Sequence, residues 1–289
     1  MPELPEVEVV KRSLENLICN LSIKSIEIKE SNLRYKVIRR EINQLIGLKI
    51  TSIKRRAKYL LFFLTQDIVM ITHLGMTGKF FVVNKNKIKK KTSFYYDLKE
   101  EKDNKHDHII FIFKNGSKLI YNDVRKFGFI KLDLIKKFKE NNHLKNLGPE
   151  PLEKYFNFKY VKSYLTGRKR IIKDLLMDQK FVSGLGNIYV NEILFYSNVK
   201  PTKIVSKLVD FEIKEIIKNT KKILKKAIKF GGSSIKNFEN SSGKEGSFQQ
   251  YFSVYAQKGE ECSNSDCNER IKKIVLSNRA SFFCPKCQK

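Results

Sequence analysis

The chain lacks any apolar run long enough to cross a membrane. Its longest candidate, Tyr59 to Leu64, is strand-sized, whereas a membrane-spanning helix needs about 20 apolar residues. The N-terminus carries acidic residues where a secretory signal requires a basic flank followed by an apolar stretch. We therefore expect a soluble, cytoplasmic protein with no membrane partner.

Acidic residues are scarce and tryptophan is absent. The 289 residues include 58 Lys plus Arg against 30 Asp plus Glu, which gives a formal net charge of +28. This charge predicts a polyanionic partner, and nucleic acid is the obvious one, although a membrane surface or the ribosome would fit equally well. The lack of Trp, beside abundant Lys, Ile and Asn, also indicates compositional drift, in which some lysines carry no function.

Cysteine is rare outside the last 28 residues. Cys19 stands alone, whereas Cys262-x4-Cys267 and Cys284-x2-Cys287 form two close pairs separated by sixteen residues. Without a secretory signal a disulfide framework is disfavoured, and two such pairs are typical of tetrahedral zinc. A closed four-thiolate site leaves no position for water, so we predict one structural Zn²⁺ with a hairpin between the pairs.

The chain begins Met1-Pro2-Glu3, with a further glutamate at Glu6. Removal of Met1 would leave a free secondary amine, and an α-amino group, with a pKa of roughly 7.7 to 8, is partly neutral near pH 7. Attack of this amine on a sugar C1′ or a carbonyl gives an iminium, which serves as an electron sink. Glu3 and Glu6 would donate a proton to a leaving group and hold the cation. A solvated, irregular terminus is the alternative explanation.

The chain length predicts two domains. An apolar stripe predicts a helix from about Val7 to Ile18, and short β-type runs follow it. With the Asn115-Gly116 hairpin signal, their spacing predicts an antiparallel sandwich or barrel. The nine runs are Ile23 to Ile28, Ile50 to Ile53, Tyr59 to Leu64, Ile68 to Thr72, Phe80 to Val83, Phe94 to Leu98, Ile109 to Phe113, Leu119 to Tyr121 and Phe129 to Leu132.

A polar, Pro-containing segment at 139–151 predicts a linker, and the periodicity beyond it is helical. Helices are predicted at 158–165, 171–177, 188–196 and 207–229, with a mobile loop at 237–250. The predicted division is 1–138, linker 139–151, a helical domain at 152–253 and a zinc hairpin at 254–289.

Two features suit phosphate binding. In the turn Ser183 to Gly186, before a predicted helix, backbone N–H groups would point at one bound anion, and Asn187 would also donate to it. Asn187 could equally be the cap of that helix. Arg279, near the predicted hairpin tip, could clamp a phosphate or simply be solvated.

Eight motifs run along the whole chain: Pro2 to Glu8, Arg55 to Leu60, His73 to Gly78, Lys105 to His108, Asp123 to Gly128, Leu147 to Leu152, Gly184 to Tyr189 and Cys284 to Gln288. In this order they resemble the formamidopyrimidine-DNA glycosylase family. Leu4 and Val7-Glu8 favour it over the related endonuclease VIII. The resemblance implies an α+β fold of two domains: an N-terminal antiparallel β-sandwich with an N-terminal helix, and a helical helix-two-turn-helix domain with a zinc-binding β-hairpin.

The resemblance implies a bifunctional DNA glycosylase and abasic-site lyase acting in base-excision repair on double-stranded DNA, by default as a monomer. It would excise oxidised purines, namely 8-oxoguanine and formamidopyrimidines, and then cleave the strand by β,δ-elimination. Pro2 matches the family's nucleophile, Glu3 the general acid and Glu6 an acidic partner. Lys58 matches the residue of proton transfer in β-elimination, and Arg279 the residue linked to δ-elimination.

The resemblance also implies DNA contacts. The void-filling residues would be Met76, Arg125 and Phe127, although Met76 and Phe127 alone would be interpreted as core. Loop 237–250 matches the family's lesion-capping loop. Phosphate contacts are implied for His106, Arg125, Arg168, Lys173 and Asn187.

The first cysteine pair departs from the family, which usually has two residues between these ligands. The four-residue spacing keeps the ligand set but leaves the shape of the knuckle and the aim of Arg279 open. A second hypothesis is a basic zinc-hairpin protein that binds bent or damaged DNA without chemistry. That hypothesis gives no reason for Pro2, Glu3 and Lys58.

Overall fold

The computed structural model describes residues 1–84, 89–91, 104–233 and 248–289, with only the backbone of 89–91. The described chain forms two compact units, one from Met1–Lys145 with residues 231–233 and one from Asn146–Phe230 with Phe248–Lys289. The predicted strand at 94–98 and most of the predicted loop at 237–250 lie outside the described residues. Within the described ranges, no helix is both long and apolar enough to span a bilayer.

The first unit is a β-sandwich with one long helix. Its sheets have the strand orders β1-β7-β8-β5-β6 and β2-β3-β4-β9, and every pairing is antiparallel. The predicted N-terminal sandwich is confirmed. The elements are α1 (Leu4–Ile18), β1 (Ile23–Ile28), α2 (Arg39–Ile42), β2 (Ile50–Arg56), β3 (Tyr59–Leu64), β4 (Ile68–His73), β5 (Gly78–Val83), β6 (Lys89–Lys91), β7 (Asp107–Phe113), β8 (Lys118–Asp123) and β9 (Phe129–Leu134).

Both sheets and α1 share one apolar core. Val7, Val10 and Leu14 lie on the buried stripe of α1, and the helix packs against β2, β3 and β5. The helix begins at Leu4, earlier than its apolar stripe predicts, because Glu3 and Glu6 form a capping box around the first turn.

The second unit is helical and carries a two-stranded hairpin. The helix α5 packs against α4, α6 and β11, and apolar residues around its circumference make it the buried centre of the unit. The predicted helical domain with a hairpin is confirmed. The elements are α3 (Phe158–Leu165), α4 (Ile172–Met177), α5 (Asn187–Tyr196), α6 (Asp210–Lys229), β10 (Lys272–Leu276) and β11 (Arg279–Phe283).

Two local details differ from or refine the sequence prediction. The helix α6 starts at Asp210 rather than at residue 207, because Val205–Lys207 forms a separate 3₁₀ turn. The β10–β11 turn consists of Ser277 and Asn278, whose φ angles of 47° and 59° are those of a type I′ hairpin.

Candidate functional site

The residues that follow Met1 are buried rather than solvated. Pro2 is buried, and Glu3 and Glu6 are only 4% and 1% exposed. The backbone N–H of Glu3 donates to Glu6 Oε2 at 2.9 Å. Because a carboxylate is favoured at a helix N-terminus, the first turn of α1 holds both acids beside the start of the chain.

Glu6 is also held from the far end of the same unit. Ser233 donates its N–H and its hydroxyl to Glu6 Oε1 at 2.8 and 3.0 Å. Gly232 has φ +83°, and a Cβ there would lie 3.0 Å from Glu6 Oε1, so glycine permits the approach. Sequence reasoning missed Ser233 because the contact spans 227 residues and has no local pattern.

Lys58 lies in the two-residue turn that joins β2 and β3 and is 6% exposed. Ala57, the other turn residue, has φ 52°, as a primed hairpin turn requires at its first central position. Arg55 of β2 donates to Glu8 of α1, Nε to Oε2 at 2.9 Å, and to the Ala57 carbonyl at 3.0 Å. The hairpin that carries Lys58 is therefore fastened to the helix that carries the glutamates.

The chain's amino group lies within electrostatic reach of these residues. Burial lowers the pKa of the Met1 amine, Lys58 and Arg125 lower it further, and Glu3 and Glu6 oppose the shift. The structure thus brings the terminus, two carboxylates and a lysine into one buried cluster. An amine in this place is more readily deprotonated than a solvated one.

Met76, Arg125 and Phe127 lie on two adjacent loops rather than in the core. The side chains of Met76 and Phe127 are 38% and 44% exposed, and the Arg125 guanidinium lies 4.6 Å from the centre of the Phe127 ring. Both apolar side chains are therefore partly exposed to solvent, and the cation lies over the Phe127 ring.

The two loops are locked together beneath these side chains. Buried Asp123 accepts hydrogen bonds from the Thr77 hydroxyl, from Gly128 N–H at 2.8 Å and from the Tyr121 hydroxyl at 3.2 Å. Gly75 has φ +61°, and an added Cβ would meet Gly128 N at 2.5 Å. Asp123, which sequence reasoning did not single out, therefore sets the separation of the loops.

His73 and His106 flank this region in the chain. Burial, aided by Lys58, Arg34 and His143, lowers the pKa of His73 to about 4, so the ring is neutral at pH 7. Its Nδ1 accepts the N–H of Gly75 at 3.0 Å, which fixes the turn before Met76. His106 ends the 3₁₀ turn Asn104–His106 and directly precedes β7.

In the second unit, Lys173 and Asn187 converge on one backbone carbonyl. Lys173 Nζ and Asn187 Nδ2 each donate to the Ala280 carbonyl at 3.0 Å, and Lys173 also donates to the Ser281 hydroxyl. Burial lowers the pKa of Lys173 to about 8, with Arg279 adding to the shift and Asp174 opposing it. Gly186, not Asn187, is the N-cap of α5.

Arg279, at the start of β11, is exposed beside this cluster. It lines a cavity of about 280 Å³ together with Arg170 and Lys173. The Ser277 hydroxyl donates to Asp174 Oδ2 at 2.7 Å, which attaches the hairpin tip to α4. Two carboxylates, Asp174 and Asp178, line the same cavity, and Arg170 donates to Asp178 Oδ2 at 2.7 Å.

Arg168 is exposed and does not line that cavity. Its Nε donates to the Tyr164 carbonyl at 2.6 Å, and its guanidinium lies 4.2 Å from the centre of the Tyr164 ring. The structure therefore places Arg168 at the exposed end of α3, one turn beyond Tyr164.

The four C-terminal cysteines converge as the sequence spacing predicts. Their Sγ atoms all lie within 4.8 Å of one another, with Cys262 to Cys287 at 3.8 Å and Cys267 to Cys284 at 3.5 Å. Tetrahedral zinc with Zn–S bonds of about 2.3 Å would place its sulfurs about 3.8 Å apart. The cluster therefore has the donor set and dimensions of a structural metal site.

Glu192 of α5 anchors the chain as it enters the cysteine cluster. Its buried carboxylate accepts the backbone N–H groups of Ser253, Val254 and Tyr255 at 2.8 to 3.0 Å. Sequence reasoning missed this residue, because an acid inside an apolar helix has no local partner pattern.

Two family models match the chain. Residues 1–130 match the one described as the formamidopyrimidine-DNA glycosylase N-terminal domain, and residues 147–239 match the H2TH domain of the same enzyme. The formamidopyrimidine-DNA glycosylase of Rickettsia bellii is 41% identical over 289 residues, covering 100% of both chains. That of Rickettsia felis is 40% identical over 288 residues, covering 100% of this chain and 98% of the relative.

Solved structures give the same result over the whole chain. A complex between Lactococcus lactis Fpg and an abasic site containing DNA has a TM-score of 0.84 at 36% identity and covers 99% of both chains. A complex of the Lactococcus lactis protein with a Fapy-dG containing DNA has the same TM-score and identity, covering 99% of this chain and 100% of that one.

Proposed function

The chain belongs to the formamidopyrimidine-DNA glycosylase family, and from this premise we propose that it excises oxidised purines from DNA and then cleaves the strand at the abasic site. The observation that carries the chemical part of the proposal is the buried cluster of Pro2, Glu3, Glu6 and Lys58. A protein that only binds damaged DNA would have no use for it.

The proposed partner is double-stranded DNA containing 8-oxoguanine or a formamidopyrimidine. Support comes from the net charge of +28 and from relatives solved with abasic-site and Fapy-dG containing DNA. Because the base must leave the stack to reach an amine, the nucleotide is extruded. The relatives are bacterial proteins, so the proposed site of action is the bacterial cytoplasm.

Base release would begin at Pro2 once Met1 has been removed. The freed ring nitrogen attacks C1′ and forms a C–N bond, and the glycosidic C1′–N bond breaks with its electrons leaving on the base. Protonated Glu3 donates a proton to assist departure. The sugar ring then opens: the C1′–O4′ bond breaks, O4′ gains the proton that the attacking amine loses, and C1′ becomes the iminium carbon. Ionised Glu6 stabilises this cation. Pro2 is buried, and burial disfavours the charged form of an amine, which supports the fraction of neutral nucleophile that this step needs.

Strand cleavage would use the iminium as an electron sink. Loss of a proton from C2′, with Lys58 as the proton carrier, expels the 3′ phosphate in β-elimination. Loss of a second proton, from C4′, expels the 5′ phosphate in δ-elimination. Arg279 serves that second step by holding a phosphate with its guanidinium.

The remaining residues would hold the DNA. Met76, Arg125 and Phe127 fill the space left by the extruded base, since exposed apolar and planar groups are suited to insertion into a kinked stack. The proposed phosphate contacts, which fix position without reading sequence, are His106, Arg125, Arg168, Lys173 and Asn187.

Cys262, Cys267, Cys284 and Cys287 would hold one Zn²⁺. Four thiolates complete its coordination, so the ion supplies folding energy to the hairpin rather than chemistry. The turn that positions Arg279 would then depend on metal retention.

The test is borohydride trapping on a duplex with a single 8-oxoguanine, followed by peptide mapping and by intact mass of the protein used. We expect a covalent adduct at Pro2, strand scission without borohydride, and loss of Met1. Pro2→Ala is an ambiguous control because its primary amine also reacts, so the mapped position decides.

Three results would overturn parts of the proposal. An adduct mapped to a lysine rejects Pro2 as the nucleophile. Full activity in protein that retains Met1 rejects it too, because the proline nitrogen would be an amide. Binding of the lesion duplex without any scission leaves only a DNA-binding protein.

A further inference from the structure

The longer first knuckle places one residue, Asn264, in contact with two of the four cysteines, Cys267 and Cys287. The side-chain Nδ2 of Asn264 donates to Cys287 Sγ at 3.1 Å. Its carbonyl accepts the N–H of Cys267 at 3.0 Å. Asn264 therefore connects the backbone of the first cysteine pair to a sulfur of the second pair.

A second link joins the same two knuckles. Lys286, between Cys284 and Cys287, donates from Nζ to the carbonyl of Asp266 at 3.3 Å. Both links use residues of the segment between Cys262 and Cys267. A shorter first knuckle would have fewer residues with which to make them.

Hydrogen-bond donors to a cysteine thiolate strengthen metal binding. A sulfur that binds a metal is deprotonated, and an N–H that donates to it stabilises its charge and fixes its direction. Removing such outer contacts typically costs about 10- to 100-fold in metal affinity. The side chain of Asn264 is exposed, so the lower end of that range applies.

We propose that Asn264 is a positioning residue of the cysteine cluster, whose side-chain amide retains the metal by joining the first knuckle to Cys287. This proposal rests on the zinc occupancy proposed above. It gives a role to the two extra residues between Cys262 and Cys267, which the four cysteine ligands alone do not require.

The test is the rate of zinc release from the full-length protein under a chelator, read with a chromogenic zinc indicator. We expect Asn264→Ala to release zinc about tenfold faster than the wild type. Asn264→Asp keeps the size but replaces the donor with a charged acceptor, so it should release at least as fast as Asn264→Ala. Ser265→Ala, an exposed change in the same knuckle, should release at the wild-type rate.

The outcomes separate this inference from the function beneath it. A wild-type protein that contains no zinc as purified would reject the proposed metal itself. A zinc-loaded wild type with Asn264→Ala and Asn264→Asp within twofold of its release rate would overturn only the role of Asn264. If Asn264→Ala does not fold, the isosteric Asn264→Asp decides alone, and strand cleavage is measured separately in each protein.

Discussion

Replacing Gly75 with alanine tests whether the lock between the two loops presents Met76 and Phe127. Gly75 has φ +61°, and a Cβ there would lie 2.5 Å from both Gly128 N and the Phe127 carbonyl carbon. Both neighbours are backbone atoms, so no flexible side chain can move aside. The loops must separate, or the chain must strain.

The expected cost has two parts. Holding alanine in the left-handed region costs about 1–2 kcal/mol, and an overpacked contact adds about 1–3 kcal/mol. Gly47 is a matched control in the same unit, because its φ is +86° but nothing lies within 4 Å of an added Cβ. Gly47→Ala should therefore show only the first part.

The assay compares both variants in thermal unfolding and in single-turnover excision of 8-oxoguanine. Gly75→Ala should be about 1–3 kcal/mol less stable than Gly47→Ala, at roughly 2–4 °C per kcal/mol. Its excision rate should fall about tenfold or more, because small misplacements near a reacting centre are costly. Gly47→Ala should excise at the wild-type rate.

Equal destabilisation by the two substitutions would refute the close-approach argument, since it would leave only backbone strain. Equal excision rates with unequal stability would instead show that the contact between the two loops contributes to stability but not to base release. In that case Met76 and Phe127 would not need a fixed loop separation to fill the duplex.

Three further predictions follow from contacts described above. Ser233→Ala removes one donor to Glu6 but keeps the backbone N–H, so kcat for excision should fall about tenfold with KM little changed; an unchanged kcat contradicts the positioning role. Lys173 has a folded pKa of about 8, below the unfolded value of about 10.4, so its charged form destabilises the fold. The free energy of unfolding should rise between about pH 8 and 10.4, because the folded state loses this proton before the unfolded state does. The urea midpoint of Lys173→Met should lack that rise. Wild-type and Lys173→Met midpoints that change with pH in the same way would exclude the lowered pKa of Lys173. Arg279→Ala should slow the second elimination at constant zinc content, and metal loss in this variant would make the residue structural.

Residues that act through local spacing were predictable from sequence. The cysteine pairs, the β10–β11 hairpin between them and the apolar stripe of α1 all follow from short-range patterns. The helix start at Leu4 was missed, because the periodic pattern of apolar residues does not include the capping box of Glu3 and Glu6.

Contacts between distant segments were not predictable in this way. Ser233 on Glu6, Asp123 between the two loops and Glu192 on the entry to the cysteine cluster are each a polar group satisfied by partners far away in sequence. Burial makes such partners obligatory, but nothing in one segment says where the partner lies. In the sequence, Asn264 is only part of an irregular cysteine spacing, because its contacts with Cys267 and Cys287 form only in the folded chain.

The ion pair between Glu8 and Arg55 has a practical consequence for kinetics. Its side chains are only 16% and 10% exposed, and a pair so shielded from solvent is weakly screened by salt. This ion pair joins α1 to the β2–β3 hairpin that carries Lys58, and it should thus keep its geometry as ionic strength rises. A steep dependence of turnover on added salt would then report on charged contacts other than this ion pair, such as those with the DNA backbone.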